Sequence, residues 1–198
     1  MPVMSRTPSG AAVLRPEVTE AIAEAVLDEL CEQGFGRLSM ERVARRAGVG
    51  KSALYRRWPA KSAMVVDVLS RLSVPVGVPP DTGSLRGDLR AMLDAVVEWM
   101  TEPRLRRILP DLVAESARNP ELAAASDEHI GKPRRQWAVP ALERAVLRGE
   151  LPARADREVL LDLLAAPVFW RLTTQGGLVT PNYLDQLADL LVRGVAAG

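Results

Sequence analysis

The stretch GFGRLSMERVARRAGVGKSALYRRWPAK, residues 34–61, predicts two short helices that meet at a tight turn. Ser39 suits the N-cap of the first helix, and Gly48 suits its end because glycine adopts a positive φ without strain. Leu54 falls on the inward face of the second helix, whose other positions carry basic, hydroxyl and aromatic side chains. Such a pair of helices is typical of a helix-turn-helix that enters the major groove of DNA.

Basic side chains are concentrated in this stretch. Residues 34–61 contain eight Lys or Arg side chains and one acidic side chain, Glu41. The whole chain of 198 residues has 26 basic and 25 acidic side chains and a formal net charge of +1, so the remainder is acidic in sum. A local basic patch of this kind indicates attraction to the phosphates of nucleic acid.

Composition argues against an enzyme. Cys31 is the only cysteine, which excludes an intrachain disulfide and a metal site built on two cysteines. His129 is the only histidine and lies in a polar stretch that we expect to be a surface loop. The letters GVGKS at residues 48–52 resemble part of a phosphate-binding loop, but its first glycine and the preceding strand are missing. We therefore expect no catalytic residue, no metal and no cofactor.

No stretch of the chain has the apolar length of a signal peptide or of a membrane span. We therefore expect a cytoplasmic protein without a membrane partner.

Apolar residues recur at helical spacing throughout, and strand-like alternation is nearly absent, so we predict an all-α fold. Residues 1–14 are small, polar and broken by proline and glycine, which indicates a flexible N-terminal arm. Residues 15–74 are expected to form the helix-turn-helix domain, with helices beginning near Pro16 and near Lys61. The prolines and glycines of residues 75–83 predict a connector, and residues 84–198 a helical bundle.

The helices of the bundle are delimited by caps and prolines. Ser84 predicts the start of a helix that reaches Thr101, and Pro103 opens another that is kinked or restarted at Pro110. Asn119 and Pro120 predict a break before the polar stretch that contains His129. Further helices are expected over residues 133–147, 156–175 and 181–197.

The last two helices are the most apolar of the chain. Their apolar surface exceeds what a domain of this size can bury internally, which indicates a partner. A two-fold homodimer through these helices is the simplest closed arrangement.

The N-terminal motif resembles that of the TetR-type bacterial transcriptional regulators. The resemblance rests on Gly34-Phe35, on the pattern S-x-x-x-V-A-x-x-A-G-V from Ser39 to Val49, and on Lys51, Leu54-Tyr55, Trp58 and Lys61. It covers about residues 16–70. It implies an N-terminal three-helix DNA reader, a C-terminal ligand-binding and dimerisation domain, and a fourth helix that links them.

The resemblance also implies roles for individual side chains. Arg56 and Arg57 stand where family members frequently have aromatic or histidine residues, and an arginine fork suits the O6/N7 edge of guanine. Which of the two reads bases stays open. The implied base readers are Lys51, Ser52, Ala53 and Arg56, and the implied phosphate contacts are Ser39, Arg46, Tyr55, Arg57 and Lys61.

Large apolar side chains of the C-terminal part are candidates for an effector pocket, because such pockets are mostly apolar. Side chains of these types at helical spacing are also typical of an ordinary core. The candidates are Met92, Trp99, Met100, Leu112, Trp137, Phe169 and Trp170.

Together these features predict a transcriptional repressor that binds a near-palindromic operator in double-stranded DNA as a dimer. A small-molecule effector is expected to release it. Two alternatives stay open: a DNA-binding activator or architectural protein without an effector, and an all-α enzyme or small-molecule carrier whose basic helix is incidental.

Overall fold

The chain folds into α-helices joined by short connections. The computed structural model describes residues 16–73 and 77–196; within these ranges it contains no β-strand and no helix long and apolar enough to span a membrane. The all-α prediction is confirmed, whereas the arm predicted for residues 1–14 lies outside the described residues. The helices are α1 Pro16–Arg37, α2 Met40–Arg46, α3 Lys51–Arg57, α4 Lys61–Ser73, α5 Leu85–Thr101, α6 Pro103–Ser116, α7 Pro120–Ser126, a π-helical segment Asp127–Gly131, α8 Lys132–Leu147, α9 Arg157–Thr173 and α10 Pro181–Ala196.

Helices α2 and α3 form the predicted helix-turn-helix. Ser39 Oγ accepts a hydrogen bond from the backbone N–H of Arg42 at 3.2 Å, which caps the first turn of α2. Gly48, with a φ of +67°, makes the corner between the helices. Leu54 is fully buried and holds α3 against α1 and α2. Local capping and one apolar anchor thus place α3 with its remaining sides toward solvent.

The break in α1 occurs at Gly34, whose φ of 71° and ψ of 170° are outside the helical region. The Asp111 carboxylate of α6 accepts a hydrogen bond from the Phe35 backbone N–H at 2.7 Å. A Cβ atom on Gly34 would lie 3.1 Å from both Asp111 oxygens. Glycine is therefore favoured here by its backbone conformation and by the close approach of α6.

The first hydrophobic core extends beyond the helix-turn-helix. Leu105, Ile108 and Leu112 of α6 and Leu122 of α7 are buried in the same core as Leu54. Helix α6 packs along α1. Residues before and after the connector at residues 75–83 therefore share one apolar core. Leu112, a candidate for the effector pocket, belongs to this first core.

The second core is built around α5, which packs against α8, α9 and α10. Its most buried side chains include Leu89, Leu93, Leu142 and Val168. Because α9 and α10 both lie on α5, each also has a side that faces away from this core.

His129 is exposed, as expected of a surface residue, but the stretch around it is helical, so the expectation of a loop is wrong. Asn119 caps α7 by accepting a hydrogen bond from the Leu122 N–H at 3.1 Å. The chain then passes through the π-helical segment directly into α8. Pro133 has no N–H for the carbonyl of His129, and a widened turn accommodates that missing donor without ending the helix.

Candidate functional site

One strip of α3 carries most of the predicted base readers. Lys51, Ser52, Tyr55 and Arg56 are exposed, and Ala53 is half-buried beside them. Positions i, i+1, i+4 and i+5 share one side of a helix, so these four side chains form a continuous surface. The strip presents two cations, a hydroxyl and a phenol.

Lys51 and Tyr55 are held by one carboxylate of α2. Glu41 Oε1 lies 2.5 Å from Lys51 Nζ and accepts a hydrogen bond from the Tyr55 hydroxyl at 3.3 Å. The hydrogen bond from Lys51 is the main cause that lowers the pKa of Glu41 and raises the pKa of Lys51. The only acidic side chain of residues 34–61 therefore orients the strip in the absence of DNA.

The neighbouring arginines of α3 differ in their surroundings. Arg57 donates a hydrogen bond to Thr19 Oγ1 at 3.1 Å, and its guanidinium carbon lies 4.6 Å from the centre of the Trp58 ring. Its guanidinium also lies 3.9 Å from Asp67. Arg56 is exposed and has no side-chain hydrogen bond or ion pair with any described residue. Arg57 thus points back toward the protein surface, and Arg56 projects away from it.

Arg46, a predicted phosphate contact, is engaged by α1. Its guanidinium lies 2.7 Å from Glu32, 3.7 Å from Glu29 and 3.8 Å from Asp28. The hydrogen bond with Arg46 lowers the pKa of Glu32. These pairs are exposed apart from Glu29, so water and salt screen them and phosphate can compete for the guanidinium.

Ser39 and Lys61 lie at the ends of α2 and α4. The Ser39 oxygen accepts the capping bond, which leaves its O–H free to donate. Lys61 Nζ donates to the carbonyls of Phe35 and Gly36 at 3.0 and 3.2 Å and lies 4.5 Å from the centre of the Phe35 ring. The Lys61 ammonium therefore satisfies two carbonyls at the C-terminal end of α1 and retains one further N–H donor.

A cavity lies between α5, α6, α8 and α9. It has a volume of about 550 Å³ and mostly apolar walls. Five of the seven effector-pocket candidates line it: Met92, Trp99, Met100, Trp137 and Phe169.

The other two candidates lie elsewhere. Leu112 faces the first core because it shares the buried side of α6 with Leu105 and Ile108. Trp170 is 55% exposed because it follows Phe169 on α9 and is rotated about 100° away from the cavity. Neither residue lines the cavity, so both are removed from the candidate set.

Two residues of the cavity wall also pack against the core that supports α3. Trp99 of α5 and Leu109 of α6 line the cavity, and both pack against the first core as well as the second. The Trp99 indole N–H also donates to Ser73 Oγ at 3.2 Å, at the end of α4. The cavity wall and the core that supports α3 therefore share two side chains.

The charged groups of the cavity wall are two adjacent arginines and one carboxylate. Arg135 donates hydrogen bonds to Asp127 at 3.0 Å and to Asp162 at 3.2 Å. Arg134 donates to the backbone carbonyl of Ser73, and its guanidinium carbon lies 4.3 Å from the centre of the Trp99 ring. The polar part of the cavity thus lies at the start of α8.

Comparison with known families agrees with this two-part arrangement. Residues 20–68 match the family described as bacterial regulatory proteins, tetR family. Residues 79–191, more than half of the chain, match the tetracyclin repressor-like C-terminal domain. The chain belongs to the TetR family. It is a transcriptional regulator of that family with a DNA-binding helix-turn-helix.

Similar proteins share most of their length with this TetR-family chain. The uncharacterized HTH-type transcriptional regulator YdeS of Bacillus subtilis is 30% identical over 178 residues, which cover 90% of this chain and 89% of YdeS. The DNA-binding transcriptional repressor TetR of Mycobacteroides abscessus is 31% identical over 179 residues, with 89% of this chain and 93% of that protein covered. The crystal structure of the TetR family transcription regulator SCO0332 has a TM-score of 0.69 and 33% identity, and the match covers 90% of this chain and 98% of SCO0332.

The last helices of this TetR-family protein expose apolar side chains. Val159, Leu163 and Trp170 of α9 and Leu190 of α10 are between 42% and 61% exposed. Three of them, Val159, Leu163 and Leu190, line a groove of about 430 Å³ between the two helices.

Two residues of this TetR-family site were not predicted from the sequence. Arg45 of α2 is exposed and forms no ion pair with a described residue, whereas Arg42 lies 2.8 Å from Glu29. Arg134 was missed because the sequence gives it the same immediate neighbourhood as Arg135. The only signal of Arg45 and Arg134 in the sequence is that each belongs to a pair of adjacent arginines.

Among the described residues, no group of three His, Cys, Asp or Glu side chains is placed to hold a metal ion.

Proposed function

We propose that this TetR-family regulator is a cytoplasmic repressor that binds a near-palindromic operator as a homodimer and leaves it when a small molecule occupies the cavity. We assign DNA reading to residues 15–74, and effector binding and dimerisation to residues 84–198. The observation that carries the proposal is that Trp99 and Leu109 line the cavity and also pack against the core that supports α3. The repressor named among its relatives supports the direction of regulation.

In this proposal the strip on α3 reads base edges. Arg56 is the principal reader because its guanidinium is free to form a bidentate contact with guanine. Arg57 is a phosphate contact because it is held against Thr19 and Trp58 at the side of the helix. The full set remains Lys51, Ser52, Ala53 and Arg56 for bases, and Ser39, Arg46, Tyr55, Arg57 and Lys61 for phosphates.

Phosphate contact requires some of these cations to exchange partners. Arg46 would leave its carboxylates for a DNA phosphate and Lys51 would leave Glu41 for a base edge, and the cost is small because exposed ion pairs contribute little stability. Release of counterions from DNA adds the sequence-independent part of the affinity. We add Arg45 to the proposed phosphate contacts, because it is exposed and no described carboxylate holds it.

The proposed dimer forms through α9 and α10. Their exposed apolar residues Val159, Leu163, Trp170 and Leu190 would be buried against the same residues of a second copy. Such a two-fold contact is self-complementary. It would present two α3 helices to successive major grooves, about 34–36 Å apart.

The effector and the operator would weaken each other's binding to the same extent, because linkage between two sites is reciprocal. A coupling of about 1–3 kcal/mol is typical of such linkage and would lower operator affinity by roughly 5- to 150-fold.

A mobility-shift titration with DNA from upstream of the protein's own gene tests this proposal. We expect a discrete complex whose affinity falls by about 10³-fold or more between about 50 and about 200 mM salt. A scrambled DNA of the same length and composition is the control. Equal affinity for both DNAs would contradict the assignment as an operator-binding repressor.

A further inference from the structure

Arg134 is the charged group of the cavity that lacks a carboxylate. Within residues 16–73 and 77–196 no Asp or Glu oxygen lies within 4.0 Å of its guanidinium. Its neighbour Arg135 has two carboxylate partners, Asp127 and Asp162. Arg135 pairs with Asp162, the carboxylate on the same cavity wall, and shares its single charge between Asp162 and Asp127.

The surroundings of Arg134 compensate its charge only in part. It is partly buried, donates to one backbone carbonyl, that of Ser73, and stacks on the Trp99 ring at 4.3 Å. Removal from water lowers the pKa of Arg134 to about 10. Arginine has five N–H donors in a fork that fits an oxyanion, and a charge removed from water is stabilised most by an opposite charge.

We propose that the effector is an amphipathic anion, whose apolar body fills the cavity and whose acid group pairs with Arg134. This inference rests on the proposed ligand-responsive function and specifies its ligand class. Apart from Arg134, Arg135 and Asp162, the walls are mostly apolar and include Met92, Trp137, Leu164 and Phe169. A ligand with one carboxylate or sulfonate at the end of a hydrophobic body matches this division of the cavity.

The same pairing links the ligand to α4, the helix that follows the helix-turn-helix. Ser73 is the last residue of α4, and Arg134 and Trp99 both bond to it. An acid group on Arg134 competes with the Ser73 carbonyl for the guanidinium. Loss of that bond loosens the end of α4, whose first residues follow α3 directly, so Arg134 both selects the ligand and positions α4.

A matched pair of fluorescent dyes tests the ligand class. 8-Anilinonaphthalene-1-sulfonate and N-phenyl-1-naphthylamine share the same ring system, and only the first carries a sulfonate. We expect Arg134→Gln to weaken binding of the sulfonate dye by about tenfold or more and to change binding of the neutral dye by less than about twofold. Arg118→Gln, which removes a 71%-exposed arginine outside the cavity wall, is the control and should leave the difference between the dyes as it is in the wild type.

Two further variants keep the test decisive. Arg134→Lys retains the cation and should lose less affinity for the sulfonate dye than Arg134→Gln. Ala165→Leu fills part of the cavity and should weaken binding of both dyes. The inference is overturned if Arg134→Gln affects both dyes equally or neither, or if Ala165→Leu leaves binding of the sulfonate dye unchanged.

Operator binding by the unliganded wild type is measured separately. A protein that discriminates the dyes through Arg134 but shows no specific DNA binding would contradict the proposed repressor and retain the ligand class. A protein that binds its operator but fails the dye test would retain the repressor and contradict the ligand class.

Discussion

The helix-turn-helix and the cavity of the C-terminal part treat apolar volume and positive charge in opposite ways. In the reader, Leu54 fills the space between the helices, and Lys51 has a carboxylate partner before DNA arrives. Around the cavity about 550 Å³ is left between apolar walls, and Arg134 has no carboxylate partner among the described residues. A surface that must fit a regular polymer is organised in advance, whereas a site that must report a ligand leaves interactions unformed until the ligand is present.

The largest expected effect contrasts the two interiors. Leu54→Ala should lower the free energy of unfolding by about 2–5 kcal/mol, because it leaves a void in a filled core. Ala165→Leu adds volume where space exists and should cost far less. Urea denaturation followed by circular dichroism measures both, with the 86%-exposed Leu147→Ala as a control that should stay within about 0.5 kcal/mol. Equal losses for Leu54→Ala and Ala165→Leu would remove the distinction between the interiors.

The next largest effect concerns the contact between Gly34 of α1 and Asp111 of α6. Gly34→Ala should destabilise the protein by about 1–3 kcal/mol, because its φ of 71° disfavours a side chain and the added Cβ would meet Asp111 at 3.1 Å. Gly36→Ala is the matched control, since a Cβ there meets no atom within 4 Å. The measurement is again urea denaturation. Similar losses for both variants would show that α6 does not constrain this turn.

A third prediction separates the two arginines of α3. Arg56→Ala should remove about 1–3 kcal/mol of discrimination between the operator and a mismatched site, because it deletes a base contact. Arg57→Ala should weaken binding to both DNAs about evenly. Competition binding with the two DNAs at fixed salt measures the ratio. If Arg57→Ala changes the ratio and Arg56→Ala does not, the roles are reversed.

The smallest expected effect concerns the ion pair between Glu41 and Lys51. Glu41→Gln should strengthen binding to all DNAs by roughly threefold, because it removes an acidic group from the interface and frees the Lys51 cation for DNA. The lowered pKa of Glu41 means that the pair is present above the ordinary value of 4.5 and is lost only as pH falls below it. The gain should therefore be constant between about pH 6 and pH 8. Salt titrations at both pH values check this, and Glu32→Gln, which removes the nearest of the three carboxylates around Arg46, provides a second example.

The parts of the fold that depend on neighbouring residues were predictable from the sequence. Ser39, Ser84 and Asn119 cap helices as their residue types suggest, and each accepts a bond from the N–H three residues later. The break predicted at Asn119 and Pro120 is present between α6 and α7. The helical course of the polar stretch that follows, around His129, was not predictable in this way, because it depends on a widened turn that carries the helix past Pro133.

Features that depend on contacts between distant segments could not be predicted. The position of Arg46 depends on Asp28, Glu29 and Glu32, which only the packing of α1 against α2 brings to it. Leu112 differs from Leu109 by less than one helical turn, and only the packing of α6 between two cores decides which of them meets the cavity.

The π-helical segment sets the rotation of everything that follows it along α8. A regular helix turns by about 100° per residue, so one residue more or fewer in this turn would rotate each later side chain by that angle. The widened turn begins at Asp127, the residue that pairs with Arg135. The length of this widened turn therefore decides which of the two adjacent arginines, Arg134 or Arg135, pairs with carboxylates and which has no carboxylate partner among the described residues. The proposed sensitivity of the cavity to a ligand's charge is therefore a matter of helical phase as much as of residue type.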